Sequence, residues 1–128
     1  MRLEIQSQGF ELTARLSEYV TKRLAYGLAR GDDAILRVSV RLSDINGTRG
    51  APDKRCYIEV QLKNAPAVVI EDIEADLYLA IDRASERAGR TLIRRLARRR
   101  ELARGVAEAP LDVHRGRRID MQAEASQP

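Results

Sequence analysis

The chain has 128 residues and a formal net charge of +4, a length that suits one domain with a small core and excludes two. Hydrophobic residues make up 44% of it, as in ordinary soluble proteins, but no apolar run approaches the roughly 18 residues that cross a membrane. The amino terminus lacks the apolar stretch of a secretory signal, so we expect a cytoplasmic protein. The single cysteine, Cys56, excludes an internal disulfide and agrees with a reducing compartment.

Positive charge is concentrated in one segment. Between Arg83 and Arg104 there are nine arginines against two acidic residues, Glu86 and Glu101, which gives a local balance of +7. Since the whole chain carries +4, the remaining residues sum to −3. This asymmetry favours a polyanionic partner that docks on one element over a protein that is merely basic.

The first part of the chain predicts a strand followed by a helix. Apolar and polar residues alternate from Arg2 to Ser7, which is the period of a half-buried strand. A helical pattern follows, with Thr13 as the candidate N-cap and with an end near Arg30 and Gly31. The apolar face of this helix consists of Leu12, Leu16, Tyr19, Val20, Leu24 and Leu28.

Three further strands are predicted after this helix. Two alternating segments each have one buried face, formed by Leu36, Val38, Val40 and Leu42 in the first segment and by Cys56, Ile58, Val60 and Leu62 in the second. Residues 43–53 between them are rich in turn formers and predict a long hairpin connection. A tight turn at residues 64–66 leads into the last strand, Ala67 to Ile73.

A long amphipathic helix is predicted from Leu77 to about Ala103, with Asp76 well placed for the helix dipole. At about 100° per residue, one side collects Leu77, Ile81, Ala84, Ala88, Leu92 and Leu96. The opposite side carries what we call the arginine stripe, Arg83, Arg87, Arg90, Arg94 and Arg98. The helical period is lost after Arg104, so residues 1–104 form the predicted domain and residues 105–128 a flexible tail.

The order of elements predicts an α+β fold. A βαβββα order places two amphipathic helices on one face of a four-stranded, mostly antiparallel sheet. Gly27 and Gly89 lie inside the two helices, where each costs about 1 kcal/mol relative to alanine. The two glycines result either from neutral evolutionary drift or from a close approach of the two helices.

The arginine stripe is the main candidate binding site. A helix with many arginines is often a solvated surface with ion pairs, but only two acids lie within this segment. Arginine binds phosphate in a bidentate manner, whereas lysine acts as a point charge. We therefore favour RNA, read by its backbone and shape, because stacking aromatics are scarce and only Tyr57 is expected to face outward on the sheet.

Other sites are weaker. Asp44 and Asn46, with Asp53 further on, superficially resemble a calcium loop, but the glycine and glutamate that such a loop needs are misplaced, and we expect no metal. Basic residues in and near this loop, and one on the first helix, are candidate secondary contacts: Lys22, Arg49, Lys54 and Arg55. The phase of Cys56 predicts burial, and His114 lies in the predicted tail. Neither an enzyme nor a cofactor is indicated.

Two segments resemble a known family. Residues 12–21, with Leu12-Thr13 and then Leu16-Ser17-Glu18-Tyr19-Val20-Thr21, and residues 76–82, Asp-Leu-Tyr-Leu-Ala-Ile-Asp, are similar to ribosome hibernation-promoting factors and ribosome-associated inhibitors. The resemblance covers roughly residues 1–104. It implies a fold like that of double-stranded RNA-binding domains, docked on the small ribosomal subunit where messenger and transfer RNA would sit, which stops translation under stress. It also implies RNA contacts at basic residues of both helices: Arg23, Arg87, Arg90, Arg94 and Arg98.

The chain departs from this family in places. Residues 44–56 are not part of the standard hibernation factors and indicate a divergent short branch, and we expect no dimerising carboxyl-terminal domain like that of long members. Tyr26 and Gly27 stand where the family tends to carry a lysine and a larger apolar residue. An alternative function is therefore a regulatory protein-interaction module that keeps the fold and acts through the loop from Asp44 to Asp53.

Overall fold

The computed structural model describes residues 2–45 and 53–108, the last five of them by backbone alone. The chain divides into two compact units, residues 1–92 and residues 93–128. The elements are strand β1 (Arg2–Gln8), helix α1 (Ala14–Gly27), a 3₁₀ helix (Ala29–Ala34), strands β2 (Ile35–Asp44), β3 (Lys54–Leu62) and β4 (Ala65–Glu74), and helix α2 (Leu77–Glu108). The predicted βαβββα order is confirmed, with the 3₁₀ helix as an addition.

The first unit contains a four-stranded sheet in the order β1-β2-β3-β4. Strands β1 and β2 are parallel, because α1 forms a crossover between them, while β2-β3 and β3-β4 are antiparallel. The sheet is therefore mixed and mostly antiparallel, as predicted, and β1 and β4 form its edges.

The helices pack on one face of this sheet, which we call the inner face. One row across it joins Ile5, Val40, Ile58 and Ile70. The predicted apolar residues of β3 are all buried, and so are Leu16, Val20 and Leu24 of α1 and Ile81, Ala84, Ala88 and Leu92 of α2. The alternation of apolar residues therefore identified the core side of β3 and of both helices correctly.

The prediction for Leu36 is wrong. Its side chain is 54% exposed, and Ile35 is buried instead. The pairing of β2 with β3 shifts register between Ile35 and Arg37. Such an irregularity changes which side chains face the core. The alternation of buried and exposed residues therefore does not extend to Leu36, at the start of β2.

Helix α1 begins as predicted and ends earlier. The Thr13 hydroxyl accepts a hydrogen bond from the Leu16 N–H at 3.1 Å, which confirms the N-cap. The helix ends at Gly27 rather than near Arg30, because Leu28 leaves the helical conformation and the Gly31 N–H bonds to the Leu28 carbonyl at 3.2 Å in the 3₁₀ helix. The 3₁₀ turn keeps the backbone groups paired over the residues that were predicted as helix.

The two glycines mark a direct contact between α1 and α2. A Cβ atom at Gly89 would lie 2.3 Å from the Gly27 carbonyl oxygen, and a Cβ at Gly27 would lie 3.1 Å from the Ser85 carbonyl oxygen. Only glycine allows backbones to approach so closely. The close approach of the helices, and not drift, therefore explains these residues.

Helix α2 begins at Leu77, where the Asp76 carboxylate accepts a hydrogen bond from the Tyr78 N–H at 3.1 Å. Residues 93–108 of the second unit are helical, so the helix is longer than the predicted end at about Ala103. The tail predicted after residue 104 otherwise lies outside the described residues, and it stays a prediction. Within the described ranges, neither helix is long and apolar enough to cross a membrane.

Candidate nucleic-acid interface

Three arginines of the arginine stripe lie in the first unit. Arg83, Arg87 and Arg90 are all exposed on α2, as expected for side chains opposite the buried face. The Arg83 guanidinium lies 3.6 Å from the Glu74 carboxylate, and the Arg90 guanidinium lies 3.0 Å from that of Glu86. Both arginine side chains keep about 60% of their surface exposed. Surface pairs of this kind contribute at most about 1 kcal/mol, so a phosphate can replace the carboxylate.

The acidic partner of Arg83 has its own hydrogen bond. A hydrogen bond between the carboxyl groups of Glu74 and Asp72 is the main cause that raises the pKa of Glu74. The positive charge of Arg83 opposes this rise. Arg83 therefore lies beside a carboxyl pair at the end of β4.

Arg87 is held by the sheet edge. Its guanidinium donates a hydrogen bond of 2.9 Å to the Glu71 carbonyl oxygen, and Glu71 belongs to the edge strand β4. A guanidinium has five N–H donors, so this one bond orients Arg87 and leaves donors for a ligand.

The two remaining members of the stripe, Arg94 and Arg98, belong to the second unit. Arg94 is exposed and Arg98 is half-buried in the helical segment 93–108. Their assignment to an RNA contact stays a prediction from helical spacing.

Arg23 takes part in a cluster between the helices that the sequence did not predict. Its Nε lies 2.9 Å from Asp82 Oδ1 without the alignment of a hydrogen bond, and a terminal nitrogen lies 3.5 Å from the Asp82 carbonyl oxygen. The Tyr19 hydroxyl donates to the same Asp82 oxygen. Tyr19 and Tyr78 pack edge to face, with ring centroids 4.7 Å apart. Tyr19, Tyr78 and Asp82 all come from the two segments that carried the resemblance.

This cluster changes the properties of its members. The hydrogen bond to Asp82, and then burial, raise the pKa of the Tyr19 hydroxyl. The Arg23 side chain is only 32% exposed, which leaves it less available to a ligand than Arg90. The signal in the sequence was the i,i+4 spacing of Tyr19 with Arg23 and of Tyr78 with Asp82, which places each pair on one helical face.

The candidate secondary contacts are engaged in ion pairs. Lys22 lies 3.6 Å from Glu18, and Arg55 pairs with Glu71. Lys54 lies 3.0 Å from Asp44 and 3.4 Å from Asp53, and the hydrogen bond to Asp44 is the main cause of its raised pKa. Arg49 lies outside the described residues.

The loop after β2 is closed at its base. The Ile45 N–H bonds to the Asp53 carbonyl oxygen at 2.9 Å, and Lys54 bridges the two aspartates there. Residues 46–52 lie outside the described residues, so the interaction function assigned to this loop stays a prediction. Among the described residues, no group of metal-binding side chains is assembled.

The outer face of the sheet is polar on β2 and β3, whereas β4 adds the exposed apolar residues Val69 and Ile73. Tyr57 lies there, as predicted, and pairs across the strands with Arg41 and Glu71. The guanidinium carbons of Arg41 and Arg55 each lie 5.4 Å from the centre of its ring. The Tyr57 ring is therefore engaged in cation–π contacts with these two arginines, on the side of the sheet opposite the helices.

The comparisons with known proteins identify the family. A family model described as "Sigma 54 modulation protein / S30EA ribosomal protein" matches residues 3–100. The chain belongs to this S30AE family. No curated protein sequence matches the chain significantly.

Two solved structures share the S30AE fold of this chain. The N-terminal domain of Protein Y from Thermus thermophilus is 34% identical, with a TM-score of 0.62, and the match covers 73% of this chain and 98% of that domain. A ribosomal subunit interface protein from Coxiella burnetii is 18% identical, with a TM-score of 0.64, and the match covers 76% of this chain and 99% of the other. The second likeness concerns the fold alone. The resemblance to ribosome-associated hibernation factors is confirmed.

Proposed function

We propose that this S30AE protein binds the ribosomal RNA of the small subunit in the decoding or messenger channel and makes ribosomes dormant under stress. It acts by occupying the channel and performs no chemistry. Family membership supports a ribosomal partner. The proposal includes that the protein acts in the cytoplasm, where such a partner is found.

The observation that carries this proposal is the exposed row of Arg83, Arg87 and Arg90 on α2. Their spacing of three and four residues keeps the three guanidiniums on one side of the helix. Their partners are surface carboxylates and one carbonyl, which RNA phosphates can replace or join, with release of counterions from the RNA.

The spacing of Arg94 and Arg98 in the sequence predicts that they extend this row. Arg23 contributes less to the proposed interface, because Asp82 already compensates its charge. Lys22, which is exposed beside Glu18, supplies a weaker contact from α1.

The test is co-sedimentation with purified small subunits across a salt series. The stripe variant replaces Arg87, Arg90 and Arg94 by glutamine. Its matched control, the sheet-face variant, also introduces three glutamines and so changes the net charge equally. They replace Arg2, Arg37 and Arg41, which lie on the outer face of the sheet.

The unaltered protein is expected to pellet with small subunits at low salt. In the stripe variant, the slope of log affinity against log salt should decrease by about two to three units, because three phosphate contacts are lost. The sheet-face variant should keep the original slope. Absence of the unaltered protein from the small-subunit pellet at low salt would contradict the proposal, as would equal slopes for the two variants.

A further inference from the structure

Tyr26 is the most exposed large hydrophobic side chain in the described part of the chain, at 81%. Single exposed apolar residues are common on surfaces, so exposure alone identifies nothing. Its position between two observed contacts of α1 with α2 is the second observation.

These contacts bracket Tyr26 on the rim of the helix pair. Three residues before it, Arg23 pairs with Asp82, and directly after it, Gly27 contacts Ser85 and Gly89. Residues later in α1 therefore contact residues later in α2, which means that the two helices run in the same direction. The position on α2 that corresponds to Tyr26 lies one turn beyond Asp82, near Glu86.

By this alignment of the two helices, the exposed charged residues nearest to Tyr26 in the fold include two arginines. Glu86 is paired with Arg90, whose side chain is 62% exposed, and Arg90 belongs to the arginine stripe. Arg30 follows Tyr26 by four residues, is exposed, and forms no ion pair with the described residues. The exposed ring of Tyr26 on α1 is thus followed by Arg30 in the 3₁₀ helix, and Arg90 lies one turn beyond Glu86 on α2.

This combination fits one nucleotide strand better than a duplex. Arginines bind successive phosphates, and an exposed ring stacks on an unpaired base, as in proteins that bind single-stranded RNA. In a duplex the bases are already stacked on one another and present only their edges and backbone. The concentration of +7 in the segment from Arg83 to Arg104 favours a nucleic acid over a protein partner.

We propose that Tyr26 stacks on an unpaired base of the bound RNA, while Arg30 and Arg90 contact the neighbouring phosphates. The inference rests on the proposed function and deepens it, because it names single-stranded RNA as what this end of the helix pair recognises. It also revises the expectation that recognition concerns backbone and shape alone.

The first experiment measures affinity for an oligouridine of about twelve nucleotides, within the usual site size of single-strand binders, and for an RNA duplex with equal phosphate count. Tyr26→Ala is expected to weaken oligouridine binding about tenfold, since one stacked base contributes that much, and to leave duplex binding unchanged. Tyr26→Phe keeps the ring and should bind as the unaltered protein does. Tyr57→Ala, which removes an equal ring from the outer face of the sheet, is the control and should also bind normally.

A second experiment detects stacking directly. The chain contains no tryptophan, so Tyr26→Trp introduces a single tryptophan, which is excited at wavelengths that tyrosine does not absorb. Its emission should be quenched by saturating oligouridine. Leu36→Trp, at an exposed position on β2, should show little quenching.

The outcomes separate this inference from the proposed function. Equal oligouridine affinities for the alanine and phenylalanine variants, equal quenching at the two tryptophans, or no oligouridine binding by the unaltered protein would overturn the stacking role. In each of those cases, intact co-sedimentation with small subunits would leave the proposed function standing. Loss of co-sedimentation with intact quenching would overturn the ribosomal target and leave the stacking role supported.

Discussion

Cys56 lies in the fully buried part of the inner face of the sheet. Its side chain is fully buried on β3. Burial, and then the nearby charge of Asp72, raise the pKa of the thiol to about 12. The thiol therefore stays protonated and unreactive in the folded protein, because the thiolate is the reactive form.

This burial predicts a specific loss of stability at alkaline pH. Below the ordinary thiol pKa of 9.0 the group is protonated in both states, and its stabilising contribution is fully present. Between pH 9 and 12 only the unfolded chain loses the proton, so the free energy of unfolding should fall by about 1.4 kcal/mol per pH unit from this group. Urea unfolding of the unaltered protein and of Cys56→Ala, measured from pH 8 to 11, should give a shallower decline for the variant. Parallel curves would contradict the assignment.

At the same scale, the structure assigns different roles to basic residues that look alike in the sequence. Arg23 is tied to Asp82, and Arg87 is bonded to the Glu71 carbonyl at the sheet edge. Arg90 is paired only with its helical neighbour Glu86 and is 62% exposed. The expected contribution to RNA binding is therefore larger for Arg90 than for Arg23.

At the scale of elements, the contact of α1 with α2 depends on two glycines. Gly27 and Gly89 bring the helix backbones together beside the cluster of Tyr19, Arg23 and Asp82. Within the first unit, the same contact fixes the position of Tyr26 on α1 relative to Arg83, Arg87 and Arg90 on α2, so the geometry of the proposed interface depends on it.

We expect Gly89→Ala to destabilise the protein more than Gly27→Ala. A Cβ at position 89 would lie 2.3 Å from a backbone oxygen and must force the helices apart, at a cost of about 1–3 kcal/mol. At position 27 the corresponding distance is 3.1 Å, so the neighbouring backbone has to shift by only a few tenths of an ångström. Urea unfolding measures both variants, and the prediction fails if Gly89→Ala is as stable as the unaltered protein.

At the scale of the whole molecule, charge is divided between one basic segment and an otherwise acidic chain. The segment from Arg83 to Arg104 carries +7, and the rest sums to −3. A partner of high negative charge density should therefore approach α2 first, with an association that weakens as salt increases.

If the protein occupies the messenger channel, its effect on translation should depend on the order of addition. Incubation with small subunits before messenger RNA should inhibit translation of a reporter strongly, whereas addition after messenger and transfer RNA are bound should inhibit much less, because the same space is taken. The sheet-face variant should inhibit as the unaltered protein does, and the stripe variant should not. Equal inhibition in both orders of addition would argue against occupation of the channel.

The sequence by itself determined the order of the elements, the side of each helix and of β3 that faces the core, and the basic face of α2. Each of these depends on a periodicity of 2 or 3.6 residues, which reports directly on which side of a strand or helix is buried. The N-cap at Thr13 and the burial of Cys56 follow from equally local rules. The residues that carry the family resemblance indicated the ribosome as the partner, whereas charge alone indicated only a polyanion.

Only the tertiary structure decided what lies between the elements. Arg23 and Asp82 are 59 residues apart, and no local pattern pairs them. The irregular start of β2 that exposes Leu36 depends on how β3 pairs with it, and the 3₁₀ turn shortens α1 although the apolar spacing continues to Leu28. Periodicity reports the side of one element, whereas partners across an interface depend on the distances between elements, which a single sequence does not contain.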